Sequence, residues 1–232
     1  MRNLLLMSSS RAANPDYLGH GLAWLSEHFA GKQVLFIPYA GVTTSADDYT
    51  AMVAEAFAKV DLKVNGIHEF NNPRQAMQEA EAVAVGGGNT YMLLHKLYET
   101  GSLDILKRRI KEGMPYAGWS AGSNIAGPSI RTTNDMPIIQ PRSFDALNAV
   151  PFQLNPHFTD AMPEGHRGET RSQRIAEFMV VDNHTPVIGI MEGTALKVSG
   201  PHMHLLGDRD GVVFADQQRR TLAAGSNCSH WL

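Results

Sequence analysis

Cysteine is nearly absent: Cys228 is the one thiol in 232 residues. No disulfide framework can form within the chain, and a reducing compartment is the expected setting. Long apolar runs are also missing. The N-terminal "LLLM" at residues 4 to 7 is too brief for the centre of a secretory signal and far too brief to span a bilayer, so it reads as a first strand and a cytoplasmic location is expected. Neither sign of charge is in surplus. Twenty Lys and Arg against 23 Asp and Glu give a formal charge of -3 with no block of like charges, which argues against nucleic acid or an anionic membrane as partner. The expected partner is a small molecule. No repeat, low-complexity tract or linker divides the chain, so one domain over residues 1–232 is expected.

What is present is alternation. Strand-length apolar runs, "NLLLMSS", "QVLFIPYAG", "KVNGIHEF", "EAVAVGG" and "MPYAGWS", are separated by segments with helical periodicity, the pattern of parallel strands joined by crossover helices. Helix starts carry their own signals. Asn14 with Pro15, Ser45 with Asp48 and Asn72 with Pro73 supply caps, while Gly31, Gly101 and Gly113 mark ends. Between residues 124 and 170 the sequence turns polar and proline-punctuated, as long functional loops do. Thr170 with Gln173 then forms a capping box for "RSQRIAEFMVV", and "PVIGIMEG", "ALKVSG", "MHLLG" and "GVVFA" read as short strands, the later ones hairpin-connected. The expected fold is α/β: a mostly parallel sheet flanked by helices on both faces, with a small antiparallel β appendage near the C-terminus. In such a fold, function gathers at the carboxyl ends of the strands.

One of those ends carries "GWSAG", residues 118 to 122, with Ser120 between two glycines. This is either a hydrolytic nucleophile on a sharp strand-to-helix turn or a turn of small residues, and the five-residue pattern does not choose between them. "VAVGGGNT" ends the preceding strand without the lysine of a phosphate-binding loop. Its Gly88 amide and that of Ala121 are candidate donors to an oxyanion, each worth on the order of 3 kcal/mol. A serine needs a base. Among the histidines after it, His157 in "QLNPHFT" follows a proline that fixes its backbone, whereas His166 sits in a glycine-rich loop. Glu192 in "GIMEG" and Asp135 in "TTND" are the acids available to orient a histidine. Arg131, with Thr132 beside it, suits a bidentate hold on a carboxylate. Glu169 and Arg171, flanking the glycine-rich loop, suit a lid that touches substrate. His202 and His204 alternate on a strand but lack further ligands, so no metal is expected. Cys228 has no elbow around it and is not expected to be a nucleophile.

Taken together, "GWSAGSN", "IRTTNDMPI", "FDALN", "NPHFT", "PEGHRGETR" with "QRI", and "EG" at 192 and 193 resemble the peptidase E family, bacterial α-aspartyl dipeptidases related to cyanophycinases. The resemblance runs from "PYAGVT" at residue 38 to Gly193, and the last fifth of the chain is only loosely similar. It implies a class I glutamine amidotransferase-like fold and a cofactor-free serine dipeptidase that cleaves Asp-Xaa peptides through an acyl-enzyme. It also implies Ser120 as nucleophile, His157 as base and Glu192 as the third member, and gives Arg131 an aspartyl carboxylate to hold. The chain departs from the family pattern at Ser123, where alanine is usual, and at Met191, where proline is usual; both positions bear on substrate preference. The partner implied is a small peptide, acted on by a monomer or homodimer. Two rivals follow from the residues alone: an α/β-hydrolase-type esterase, in which the histidine would come last, and a flavodoxin-like protein binding a small anion at the glycine loop.

Overall fold

A computed structural model describes residues 2–12, 16–162, 164–165 and 167–232. The chain opens with β1 (Asn3–Met7) and, after a 3-10 turn, α1 (Leu22–Phe29) and β2 (Val34–Ile37). The Asn14–Pro15 start expected for the first helix lies outside the described residues. Ser45 begins α2 (Ala46–Ala58) by accepting the Asp48 amide at 3.0 Å. After β3 (Val64–Gly66), Asn72 begins α3 (Pro73–Glu79) by accepting the Gln75 amide at 3.1 Å. These side-chain oxygens satisfy amides that the first helical turn leaves without an internal acceptor. Next come β4 (Ala82–Val85), α4 (Thr90–Glu99), α5 (Leu103–Lys111) and β5 (Tyr116–Trp119). Gly101 and Gly113 close the two helices with positive φ, as their positions predict.

A four-residue helix, α6 (Ala121–Asn124), leads into largely irregular chain that contains β6 (Gln153–Asn155) and returns to α7 (Arg171–Val181). The Thr170–Gln173 capping box is formed. The remaining strands are β7 (Val187–Gly189), β8 (Ala195–Ser199), β9 (His202–Leu206), β10 (Gly211–Ala215) and β11 (Gln218–Leu222). Two strands escaped the sequence reading for physical reasons. β6 spans three residues, and four of the five residues of β11 are exposed, so neither shows an alternating pattern.

Two sheets result, with strand orders β3-β2-β4-β5-β1-β8-β9 and β11-β10-β7-β6. In the first, β3 through β1 pair in parallel while β8 and β9 extend the edge antiparallel. The second is the C-terminal appendage, antiparallel except where β6 runs parallel to β7. Alternate side chains of the large sheet enter separate cores: Leu4, Leu6, Val83 and Val85 on one face, Leu5, Met7, Ala82 and Ala84 on the other. Both faces are therefore covered, which is why these strands read as continuous apolar runs. α7 covers the outer face of the small sheet through Ile175 and Met179, packed on Phe158, Val187 and Phe214. No helix of the described residues is long and apolar enough to cross a membrane.

Candidate active site

The carboxyl ends of β4, β5, β6 and β7 carry the residues that matter. At the end of β5 the backbone of Ser120 takes φ 54 and ψ -114, a conformation that costs an ordinary residue on the order of 1–3 kcal/mol. Its surroundings enforce it. A Cβ on Gly118 would lie 2.4 Å from Gly122 and one on Gly122 would lie 2.2 Å from the Val85 carbonyl oxygen, so only glycines allow α6 to fold back on the sheet. The Ser120 carbonyl accepts the amides of Ser123 and Asn124 at 3.0 and 2.9 Å. Ser123, the departure from the family pattern, is fully buried, and its Oγ lies 2.6 Å from the Met7 carbonyl and 2.8 Å from that of Gly118. It stitches the elbow to β1 and β5. Met191 likewise packs against the core under α7.

The glycine loop after β4 lies against this elbow, where a Cβ on Gly87 would stand 3.0 Å from that of Ser120. Tyr49 holds it by donating to the Gly87 carbonyl at 3.0 Å while accepting from Trp119 Nε1 at 3.2 Å. Burial pushes the Tyr49 phenol above its ordinary range, so it stays a neutral donor. Gly88 has φ 133 and packs on the Ala40 carbonyl. In these two turns the amides of Gly86 and Asn89 donate to Ile37 and Ala40. Among the described residues, no protein acceptor takes the amides of Gly88 or Ala121.

His157 and Glu192 follow β6 and β7. His157 Nδ1 lies 2.8 Å from Glu192 Oε1; with Nδ1–H donated to the carboxylate, Nε2 is left as the acceptor. The histidine backbone, at φ 54, is held by a residue the sequence did not reveal. The Ser8 hydroxyl at the end of β1 accepts the His157 amide at 2.8 Å and donates to the Ile190 carbonyl at 2.9 Å. A serine after a strand is too common to signal such a role. Asp135, the other acid considered, accepts from Thr90 N and Oγ1 at 2.7 and 2.6 Å and from Thr133 Oγ1 at 3.2 Å. Of the two acids, Glu192 is the one bonded to the imidazole.

Ser120 and His157 line two adjoining cavities of about 490 and 260 Å³. The larger is bordered by Gly88, Thr43, Thr44, Met52 and Ile138, the smaller by Asn124, Thr133, Asp135 and Arg171. The smaller therefore presents one anion and one cation. Burial lowers the Arg171 guanidinium from its ordinary value, opposed chiefly by the Glu192 charge, and a guanidinium so shifted is still protonated at neutral pH. The Asn124 amide donates to the Leu154 carbonyl at 2.7 Å, and its buried Oδ1 has no hydrogen-bond partner among the described residues.

Arg131 lies away from both cavities, against the expectation from sequence. Its guanidinium donates to Asp182 Oδ2 at 2.6 Å and stacks over Phe178, so it is held at the C-terminal end of α7 and lines neither cavity. Thr132 is buried below the site, 3.4 Å from the Leu154 carbonyl. Glu169 is exposed and faces Arg174 at 3.9 Å. His202 and His204 point outward from β9, and His166 lies outside the described residues. Burial pushes the Cys228 thiol up to about 11.

The model of peptidase family S51 matches residues 4–206. A protein named Peptidase E from Shewanella denitrificans is 50% identical over 232 residues, with 99% of each chain covered. Another from Shewanella sp. strain ANA-3 is 49% identical, covering 99% of this chain and 98% of its own. Among solved structures, a Listeria monocytogenes EGD-e protein described as a candidate peptidase E superposes with a TM-score of 0.65 at 25% identity, covering 88% of this chain and 98% of its own. A peptidase from an acI-B1 actinobacterium shares the fold with a TM-score of 0.72 at 19% identity, over 98% and 96% of the two chains.

Proposed function

Since the chain belongs to peptidase family S51, we propose that it is a serine dipeptidase releasing N-terminal aspartate from Asp-Xaa through an acyl-enzyme. The observation that carries this reading is the smaller cavity, where Arg171 and Asp135 stand beside Ser120 and His157. An N-terminal aspartyl residue presents one extra anion and one ammonium. Arg171 matches the β-carboxylate, and Asp135 with the unpartnered Asn124 Oδ1 matches the ammonium. A neutral or purely anionic residue would leave one of the charged walls unpaired, and that asymmetry is the stronger source of discrimination.

In the reaction, Ser120 Oγ attacks the aspartyl α-carbonyl carbon as its proton passes to His157 Nε2. Glu192 holds the imidazole by Nδ1 and stabilises the imidazolium. The amides of Gly88 and Ala121 receive the oxyanion. Collapse breaks the C–N bond, and His157 returns the proton to the leaving amine, which departs through the larger cavity. Water then enters, gives its proton to His157 and attacks the ester; Ser120 leaves with that proton and aspartate is freed. The Ser–His–Glu order along the chain differs from that of α/β-hydrolases, and the leaving-group side is open enough for varied second residues.

The test is a set of rates on Asp-Leu, Asn-Leu, Glu-Leu, isoAsp-Leu and N-acetyl-Asp-Leu, run beside Ser120→Ala. Asp-Leu is expected to be cleaved at least about 100-fold faster than Asn-Leu or the acetylated peptide, each of which lacks one charge. No Ser120-dependent cleavage of Asp-Leu overturns the specificity; equal rates on Asn-Leu move acid recognition away from Arg171.

A further inference from the structure

We propose that Asp160, which lines neither cavity, is a positioning residue that sets the carboxylate preference by fixing where Arg171 enters the smaller one. The inference rests on the reading of Arg171 as the carboxylate ligand. After His157 the chain leaves the site and returns at the start of α7, where Arg171 is the first helical residue. Asp160 bridges the two ends of this excursion. Its Oδ1 accepts the Ser172 amide at 3.0 Å and its Oδ2 accepts the Ser172 hydroxyl at 2.5 Å. Arg219 of β11 reaches the same Oδ2 at 3.4 Å.

The helix does not need Asp160 in order to begin. Thr170 and Gln173 already cap it reciprocally, at 3.2 and 2.8 Å. What the extra bridge supplies is location: it ties the first turn of α7 to the segment that follows the base, with the small sheet as anchor. The charges of Glu192, Asp135 and Asp160 attract the Arg171 guanidinium, but none of them is hydrogen-bonded to it. Its hydrogen bond to the Pro156 carbonyl is long, at 3.4 Å, so the direction of the guanidinium depends on where its backbone is placed. A ligand-binding side chain supported from its own backbone loses less freedom when substrate arrives, and removing that support raises KM more than it lowers kcat.

The experiment compares Asp160→Ala, Arg171→Met and the double variant on Asp-Leu and Asn-Leu, with thermal melting of each. Asp160→Ala should raise KM for Asp-Leu about tenfold, change kcat less than about threefold and reduce the Asp-over-Asn preference by a similar factor. Asp160→Asn, which keeps an acceptor for the Ser172 amide, should restore most of the KM. In the Arg171→Met background the Asp160 change should add almost nothing, because both act through one guanidinium. Additive effects, or a lowered melting temperature with unchanged preference, make Asp160 a helix cap alone and overturn the inference. Should Asp160→Ala not fold, Ser172→Ala and Arg219→Met each remove one arm of the bridge and are judged by the same two outcomes. If Arg171→Met itself keeps the preference, the carboxylate reading falls and this inference falls with it; if only Asp160→Ala keeps it, this inference alone is lost.

Discussion

Ser120 occupies a backbone conformation that its side chain makes costly, and nothing in the packing of the elbow requires a hydroxyl there. Glycine tolerates φ 54 and ψ -114 far better than serine does. Ser120→Gly should therefore raise stability by roughly 1 kcal/mol, the relieved strain less the extra freedom glycine gives the unfolded chain, while turnover falls by several orders of magnitude. Urea unfolding beside steady-state rates on Asp-Leu measures both. A variant no more stable than the parent would mean that the elbow carries no strain. The neighbouring Ser123 follows the opposite logic: its buried hydroxyl bonds β1 and β5 carbonyls, so it belongs to the fold and not to the pocket.

Adjacent strands set the distance between His157 and Glu192. β6 and β7 run parallel with Asn155 opposite Gly189, so the residues that follow leave the sheet side by side, and the imidazole and carboxylate meet at 2.8 Å. Asp135 is tied instead to the first residue of α4, accepting the Thr90 amide. Glu192→Gln, which keeps an acceptor oxygen but loses the charge that steadies an imidazolium, should lower kcat on Asp-Leu about 10²–10³-fold with KM little changed. Asp135→Asn should instead raise KM through the substrate ammonium. Reversed effects would make Asp135 the orienting acid. The same strand ends explain what the sequence could disclose. Apolar runs and caps exposed the parallel strands and the starts of α2, α3 and α7, because each signal is local. The candidate residues at strand ends stand out as groups that core packing explains poorly, Glu192 above all, and the structure brings Glu192 to His157. Arg131 misled because its partner, Asp182, is 51 residues away, and Ser8 stayed hidden because its bonds to His157 and Ile190 span 149 and 182 residues. Pairings of that reach leave no periodicity to read.

Across the whole molecule, one buried histidine couples folding to pH. His28, on α1, is 4% exposed. Its Nε2–H donates to the Tyr116 carbonyl on β5 at 3.0 Å, and its Nδ1 accepts from Lys197 Nζ on β8 at 2.9 Å. A second proton on this ring would be buried and would face an ammonium. Burial, aided by the Lys197 charge and opposed by the Tyr116 bond, accordingly lowers its pKa from 6.5 to about 3. Burial also lowers Lys197, with Glu27 opposing. Because the folded value is depressed, the unfolded chain binds the extra proton first as pH falls. The stability that depends on neutral His28 is complete above about pH 6.5 and declines toward pH 3, by about 1.4 kcal/mol for each pH unit once the unfolded imidazole is protonated. Carboxylates also titrate in this range, so the informative quantity is a difference between variants. His28→Gln keeps a donor and an acceptor but cannot titrate. It should be less stable than the parent at pH 7.5 and lose less stability between pH 6.5 and 4.5, by about 2–3 kcal/mol. Urea unfolding at four or five pH values gives both curves, and parallel curves would place the acid sensitivity elsewhere. His28 joins a helix on one face to two strands of the large sheet, so its protonation loosens the sheet that carries the elbow.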